Sequence, residues 1–390
     1  MYLRKTLFVA LLLAVVILPA TSHATISRVI GLGGAESHYI VKDAYNYSVW
    51  PQLVRHYGMQ SGAEFYAAGT NGYDFQKAYI IYDFGDGKSA LSFALDKLNS
   101  RNYGMLANNE LAALDNIEGG YNKLNVTYGR PMGDNMLIGA ALHFAGKSYS
   151  ADENAPGGKV DNSYSEIGLL LGLTAMEDKL DVSLGFRSGS WSLENAGGTV
   201  AEADGASDIM LAGRYWYEAN ENYKIIPSLA LNMHTDNAKV GTAAHEYSSS
   251  MFRLGVGNNW TPKEDMLAIA EFGLKSVGET MKPDGGDEAT DSESSIFWRL
   301  GIESEIFSWM KARFGAQRDW LGATEESAAG KPEYSTSVTS TYLGTTVHWN
   351  RFQADLVVHP DFLGYGPNFV SGYQGMLFTR ASVKINFDKI

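Results

Sequence analysis

The chain has 390 residues and no cysteine, and its 44 acidic residues outweigh 31 basic ones for a formal net charge of −13. The missing thiols exclude disulfides, thiolate metal sites and cysteine nucleophiles together. The acidic balance argues against nucleic acid as a partner, because phosphate binding wants a basic stripe.

The first 24 residues read as an export signal. Arg4 and Lys5 precede an apolar run from Thr6 to Ala20, and Ser22-His23-Ala24 offers small residues where signal peptidase inspects the chain. Cleavage is expected after Ala24, which removes two basic and no acidic residues and leaves a mature charge of −15. No later stretch is apolar enough for a spanning helix.

Residues 25–60 form a second unit. Gly31-Leu32-Gly33-Gly34-Ala35 is flexible, and Asp43 to Tyr57 has mixed periodicity interrupted by Trp50-Pro51. The spacing predicts a loop with short helices, turned inward and too irregular to pair as wall. The glycine run does not follow a strand of a βαβ unit, so a nucleotide fingerprint is set aside.

From residue 61 to 390 the pattern has period two. Leu180, Val182, Leu184 and Phe186 interleave with Asp181, Ser183, Gly185 and Arg187, and Ile296, Trp298, Leu300 and Ile302 interleave with Arg299, Gly301, Glu303 and Glu305. Each such strand has one oily and one wet face. The pass yields 16 strands, from 61–69 to 376–387. Their connections alternate between short turns (131–134, 175–178, 219–222, 261–264, 349–351) and long polar segments. The latter are 97–119, 148–161, 191–205, 235–246, 278–293, 319–335 and 359–375. Hydrocarbon tolerates no unpaired backbone, so strands that cross it must close into a barrel. Short inner turns and long outer loops are the bacterial outer-membrane arrangement. The predicted fold is therefore an all-β, transmembrane, antiparallel up-and-down barrel with an N-terminal plug segment, in the outer membrane of a Gram-negative cell.

Aromatic residues near strand ends, among them Tyr128, Tyr149, Trp191, Trp216, Tyr217, Trp260, Trp309, Trp320 and Trp349, are expected at the headgroup level. The alternation turns Arg187, Arg214, Arg253, Glu271, Arg299, Glu303, Arg313 and Arg380 toward the lumen. Two readings of that face stay open: a salt-bridge lattice that fills the barrel, or a passage whose field draws anionic head groups.

Catalytic chemistry has no signature. His143, His234, His245 and His348 lie on separate segments, and no G-x-S-x-G is present. The acidic run around Asp284-Gly285-Gly286-Asp287-Glu288 lacks the spacing of a calcium loop. An enzyme, a metal and a cofactor are not expected.

The stretch from about 28 to 145 resembles the superfamily of outer-membrane long-chain fatty acid transporters, which includes hydrocarbon channels and secretion-shuttle barrels. Arg28 to Ala35, Asp43, Asn46, Trp50-Pro51, Ala78 to Phe84 and Gly129-Arg130 carry it. Trp50-Pro51-Gln52 stands where that family has Asn-Pro-Ala. The resemblance implies 14 strands, a plug built on Gly31, Gly33, Gly34, Asp43, Asn46, Trp50 and Pro51, and a small hydrophobic or amphipathic solute. The expected partners are outer-membrane lipid and lipopolysaccharide, the barrel-assembly machinery and such a solute, for a monomer. A barrel that binds partners without transport, as a secretion shuttle or surface scaffold, is the alternative.

Overall fold

The computed structural model describes residues 25–67, 73–85, 89–98, 121–152, 159–195, 198–240, 243–283, 286–326, 330–358 and 378–387. The expected export signal and the connections 97–119 and 359–375 fall wholly or almost wholly outside them.

Seventeen strand segments follow one another as an antiparallel meander. They are β1 (Gln60–Ala67), β2 (Tyr73–Asp83), β3 (Ala90–Leu98), β4 (Tyr121–Pro131), β5 (Leu137–Asp152), β6 (Lys159–Ala175), β7 (Leu180–Asn195), β8 (Gly198–Tyr215) and β9 (Tyr217–Asn220). There follow β10 (Tyr223–Val240), β11 (Ala243–Lys263), β12 (Met266–Pro283), β13 (Ala289–Phe307), β14 (Met310–Glu326), β15 (Glu333–Trp349), β16 (Phe352–Val358) and β17 (Phe378–Asn386). The segment β9 continues β8 past Trp216 against the same neighbour, β10, so the described residues make 16 staves. Strand β1 pairs with both β2 and β17, which closes the sheet. The 14 strands implied by the resemblance are therefore replaced by 16, the number the periodicity predicts.

The two faces sort as a bilayer requires. Leu184 and Phe186 are about half exposed outside while Asp181 and Ser183, of the opposite parity on the same strand, are buried, and Leu300 and Ile302 alternate with buried Arg299 and Glu303 in the same way. No helix among the described residues is long and apolar enough to cross a membrane; the crossing is made by strands. Turn chemistry sets the inner rim. Asn350 takes φ 52° in the two-residue link of β15 to β16, and Met176, Glu177 and Asp178 all have φ near 60° between β6 and β7.

Two expectations change. Most of the long polar segments are strand: β5 to β8 and β10 to β15 run 16–21 residues each, past the roughly 9–11 that a tilted strand needs to cross. Backbone pairing continues above the bilayer, where serine and threonine replace the outward apolar residues. The described residues of β16, β17 and β1 to β4 number 7–11 per strand. The second correction concerns two tryptophans. Trp191 and Trp216 are buried inside, their indole N–H groups donating to Asp236 and Asp181, whereas Tyr128, Tyr217, Trp260, Trp309 and Trp320 are exposed outside.

Trp309, in the turn that opens β14, and Trp320 on that strand bracket about 25 Å of height at the usual tilt, which matches the apolar band of such barrels. Leu300 faces lipid near the middle of that band, opposite Ala316, and Ser335 pairs with Gly322 above it. Leu300→Arg should therefore cost about 2–4 kcal/mol in denaturant unfolding from bilayers. Ser335→Arg should change stability by less than about 0.5 kcal/mol.

Candidate functional site

The lumen is occupied by residues 25–57. They form a short helix, Ile26–Gly31, and three 3₁₀ segments, Ala35–Tyr39, Ala44–Ser48 and Pro51–Tyr57. Gly33 and Gly34 turn the chain between the first two at φ 121° and 101°, values that favour glycine. Pro51 opens the last segment, where its missing N–H costs nothing.

Glycine rows in the wall admit this plug from opposite sides. Gly129, Gly139 and Gly172 are neighbours across β4, β5 and β6, and a Cβ at any of them would overlap Pro51-Gln52 or its flank. Gly301 and Gly315 are paired across β13 and β14, and there a Cβ would strike the backbone of Leu32-Gly33. Between these ends the wall turns apolar residues inward. Ile81, Ala90, Ala94, Ala212, Ile226 and Ile269 pack with Leu32, Ile40, Tyr47, Trp50 and Val54 into one core. The run Tyr79-Ile80-Ile81-Tyr82 breaks the alternation for this reason, since Tyr79 and Ile81 meet the plug while Ile80 and Tyr82 meet lipid.

Three ionic clusters tie plug to wall. In the first, Arg28 grips Glu303 with two hydrogen bonds of 2.8 and 2.9 Å and reaches Asp43 at 3.2 Å. Arg313 bonds the same Glu303 and donates to Asp355 at 2.9 Å, and Asp355 also accepts from Thr25 at 3.1 Å. The second centres on Glu36, which lies 2.8 Å from Arg299, 3.2 Å from Arg253 and 3.5 Å from Lys275. Glu271 bridges Arg253 and Arg299 from the wall side. In the third, Arg214 pairs with Asp181 at 2.8 Å, donates to the carbonyls of His38 and Tyr39, and lies 3.7 Å from the Trp50 ring centre. Gln52 donates to Thr174, and Asn259 donates to the Ile40 carbonyl.

Exposure separates the clusters. The side chains of Arg313 and Asp355 are 0% exposed, those of Glu36 and Lys275 about a third. Burial alone would raise the Glu36 carboxyl, but Arg299, Lys275 and Arg253 override it and hold its pKa down at about 2.

The plug residues expected from the sequence sit together here. Gly31 lies against Arg313 and Gly344, Asp43 pairs with Arg28, Asn46 donates to the Val41 carbonyl, and Trp50 and Pro51 pack as described. Of the expected lumen residues, Arg214, Arg253, Glu271, Arg299, Glu303 and Arg313 take part in the three clusters. Arg187 stands apart, paired with Asp208 at 2.8 Å, and Arg380 is half-buried on the lumen side of β17. Periodicity had no means of finding Glu36, Arg28 or Gln52, which lie outside the strands. A single carboxylate within the otherwise uncharged Val29–Tyr39 stretch was the available sign of Glu36.

No family model matches the chain, nor does any curated protein. Among solved structures it is similar to CdiB from Escherichia coli at 9% identity and TM-score 0.38, over 84% of this chain and 63% of that one. It is similar to the alcaligin outer membrane receptor FauA from Bordetella pertussis at 9% identity and TM-score 0.38, over 77% and 68%. The siderophore receptor PirA from Pseudomonas aeruginosa shares 7% identity at TM-score 0.35, over 84% and 80%. Likeness at this level assigns no family and no activity, and gives no particular support to the fatty acid transporter resemblance.

Removing one partner of a buried ion pair costs roughly 3–5 kcal/mol, while partly exposed pairs contribute about 1 kcal/mol or less. Glu303→Gln should therefore free the plug to protease far more than Glu36→Gln. Glu36 stabilises docking fully above its ordinary value of 4.5, and this contribution is lost as pH falls toward 2. Hydrogen exchange of residues 25–57 between pH 6 and 2 should show that slope in the native protein and a shallower one in Glu36→Gln.

Proposed function

We propose that this protein is an outer-membrane channel held shut at rest by its own N-terminal segment, which must shift for a small hydrophobic or amphipathic compound to pass. The observation that carries the reading is the plug itself: a strap across the lumen, seated in glycine rows on opposite walls and fastened by exchangeable polar contacts. A purely structural filling would have no need of the partly wet Glu36 cluster, where replacing buried charges by apolar residues is often as stable or more so. The outer membrane is supported by the apolar band between aromatic rims and by the short-turn inner end. The solute class follows the sequence resemblance. We read the protein as a passage, not an enzyme.

The native chain has no cysteine, so a single engineered disulfide can be read cleanly. Ser27 of the plug and Ser382 of β17 are in hydrogen-bond contact. Cells expressing the double variant Ser27→Cys, Ser382→Cys should admit the amphipathic dye N-phenyl-1-naphthylamine no faster than cells without the protein, until dithiothreitol restores the native rate. Equal dye entry in the oxidised and reduced states would overturn the gated channel.

A further inference from the structure

Above the plug, on the β2 to β10 side of the lumen, lies a cavity of about 280 Å³ floored by Tyr47 and Ser48. That volume sits at the lower edge of the roughly 300–1,000 Å³ usual for small-molecule sites, so it suits a small solute and not a long chain. Its lining is mixed. Lys77, Lys123 and Arg187 face Asp96 and Asp208, and Ala141, Leu170 and Met210 supply an apolar flank.

The polar groups are unequally engaged. Arg187 is bound to Asp208 at 2.8 Å. Lys123, however, has its carboxylate partner Glu166 at 3.7 Å, beyond hydrogen-bond reach, so among the described residues its ammonium keeps donors to offer. Across the cavity, Oδ1 of Asn232 is buried and accepts no hydrogen bond among the described residues. An unspent donor and an unspent acceptor thus face one small space, and an unmet buried polar atom is costly.

Net charge decides what would fit. A bare anion at Lys123 would meet Glu166 beside it and Asp96 and Asp208 around it. A bare cation at Asn232 would meet Lys123 and Arg187. An uncharged apolar body would leave every one of these groups dry. A molecule carrying both signs satisfies both ends.

We infer that this cavity binds a small zwitterion of the kind of an α-amino acid with an apolar side chain. The carboxylate goes to Lys123, the ammonium to Asn232 and Asp208, and the side chain to Ala141, Leu170 and Met210. This rests on the lumen being a solute passage and names a solute for it. Because Tyr47 and Ser48 form the floor, the occupant also touches the plug.

Isothermal titration of the refolded mature protein with L-leucine tests the inference. Two analogues each lack one charge: 4-methylpentanoate has no ammonium and isopentylamine no carboxylate. Leucine should bind saturably and each analogue at least about tenfold more weakly, the value of a charge-assisted hydrogen bond. Lys123→Met and Asn232→Leu should each weaken leucine binding by about tenfold. Equal binding of leucine and 4-methylpentanoate, leucine binding unchanged in both variants, or no binding of leucine would overturn it. These outcomes are independent of the disulfide experiment, which alone bears on gating.

Discussion

A guanidinium withdrawn from water has to be met by acceptors from whatever lies opposite, and in this barrel the opposite surface is the chain's own N-terminal segment. Arg214, Arg253, Arg299 and Arg313 are all buried on the lumen side, and each belongs to a cluster that the wall and the plug build together. Arg214 needs the carbonyls of His38 and Tyr39, Arg253 and Arg299 share Glu36, and Arg313 shares Glu303 with Arg28. The desolvation of these charges makes plug and wall interdependent: a wall without its plug would rehydrate, and a plug without its wall has little structure of its own to keep.

Shape follows the same division of labour. Closure removes the sheet edges, so the wall meets its contents through side chains alone. Where the plug backbone approaches closely the wall is glycine, and where its apolar residues point outward the wall is Ile81, Ile226 or Ile269. Elsewhere the wall is charged. The charged face is therefore not uniform: Arg313 and Asp355 are fully buried, while Glu36 and Lys275 keep about a third of their side chains exposed.

Much of the fold was legible because period two survives wherever one face meets lipid and the other does not. Strand count, turn positions and the inward placement of Arg299 and Glu303 follow from that alternation. It fails where the physics changes. On the upper parts of β11, β13 and β15, serine and threonine have no hydrophobic period, so paired strand looks like loop. At Trp216 the break between β8 and β9 turns an indole inward to Asp181, and nothing local distinguishes it from a rim tryptophan. In the plug, Asp43, Asn46 and Trp50 were marked by resemblance alone, and their partners Arg28, Val41 and Arg214 are fixed by tertiary contacts that no spacing encodes.

The most direct measurement is planar-bilayer conductance of the mature protein beside a version lacking residues 25–58. A lumen closed by its plug gives little or no current in the first and steady single-channel steps in the second. Equal steps in both, or silence in both, would contradict a barrel shut by that segment.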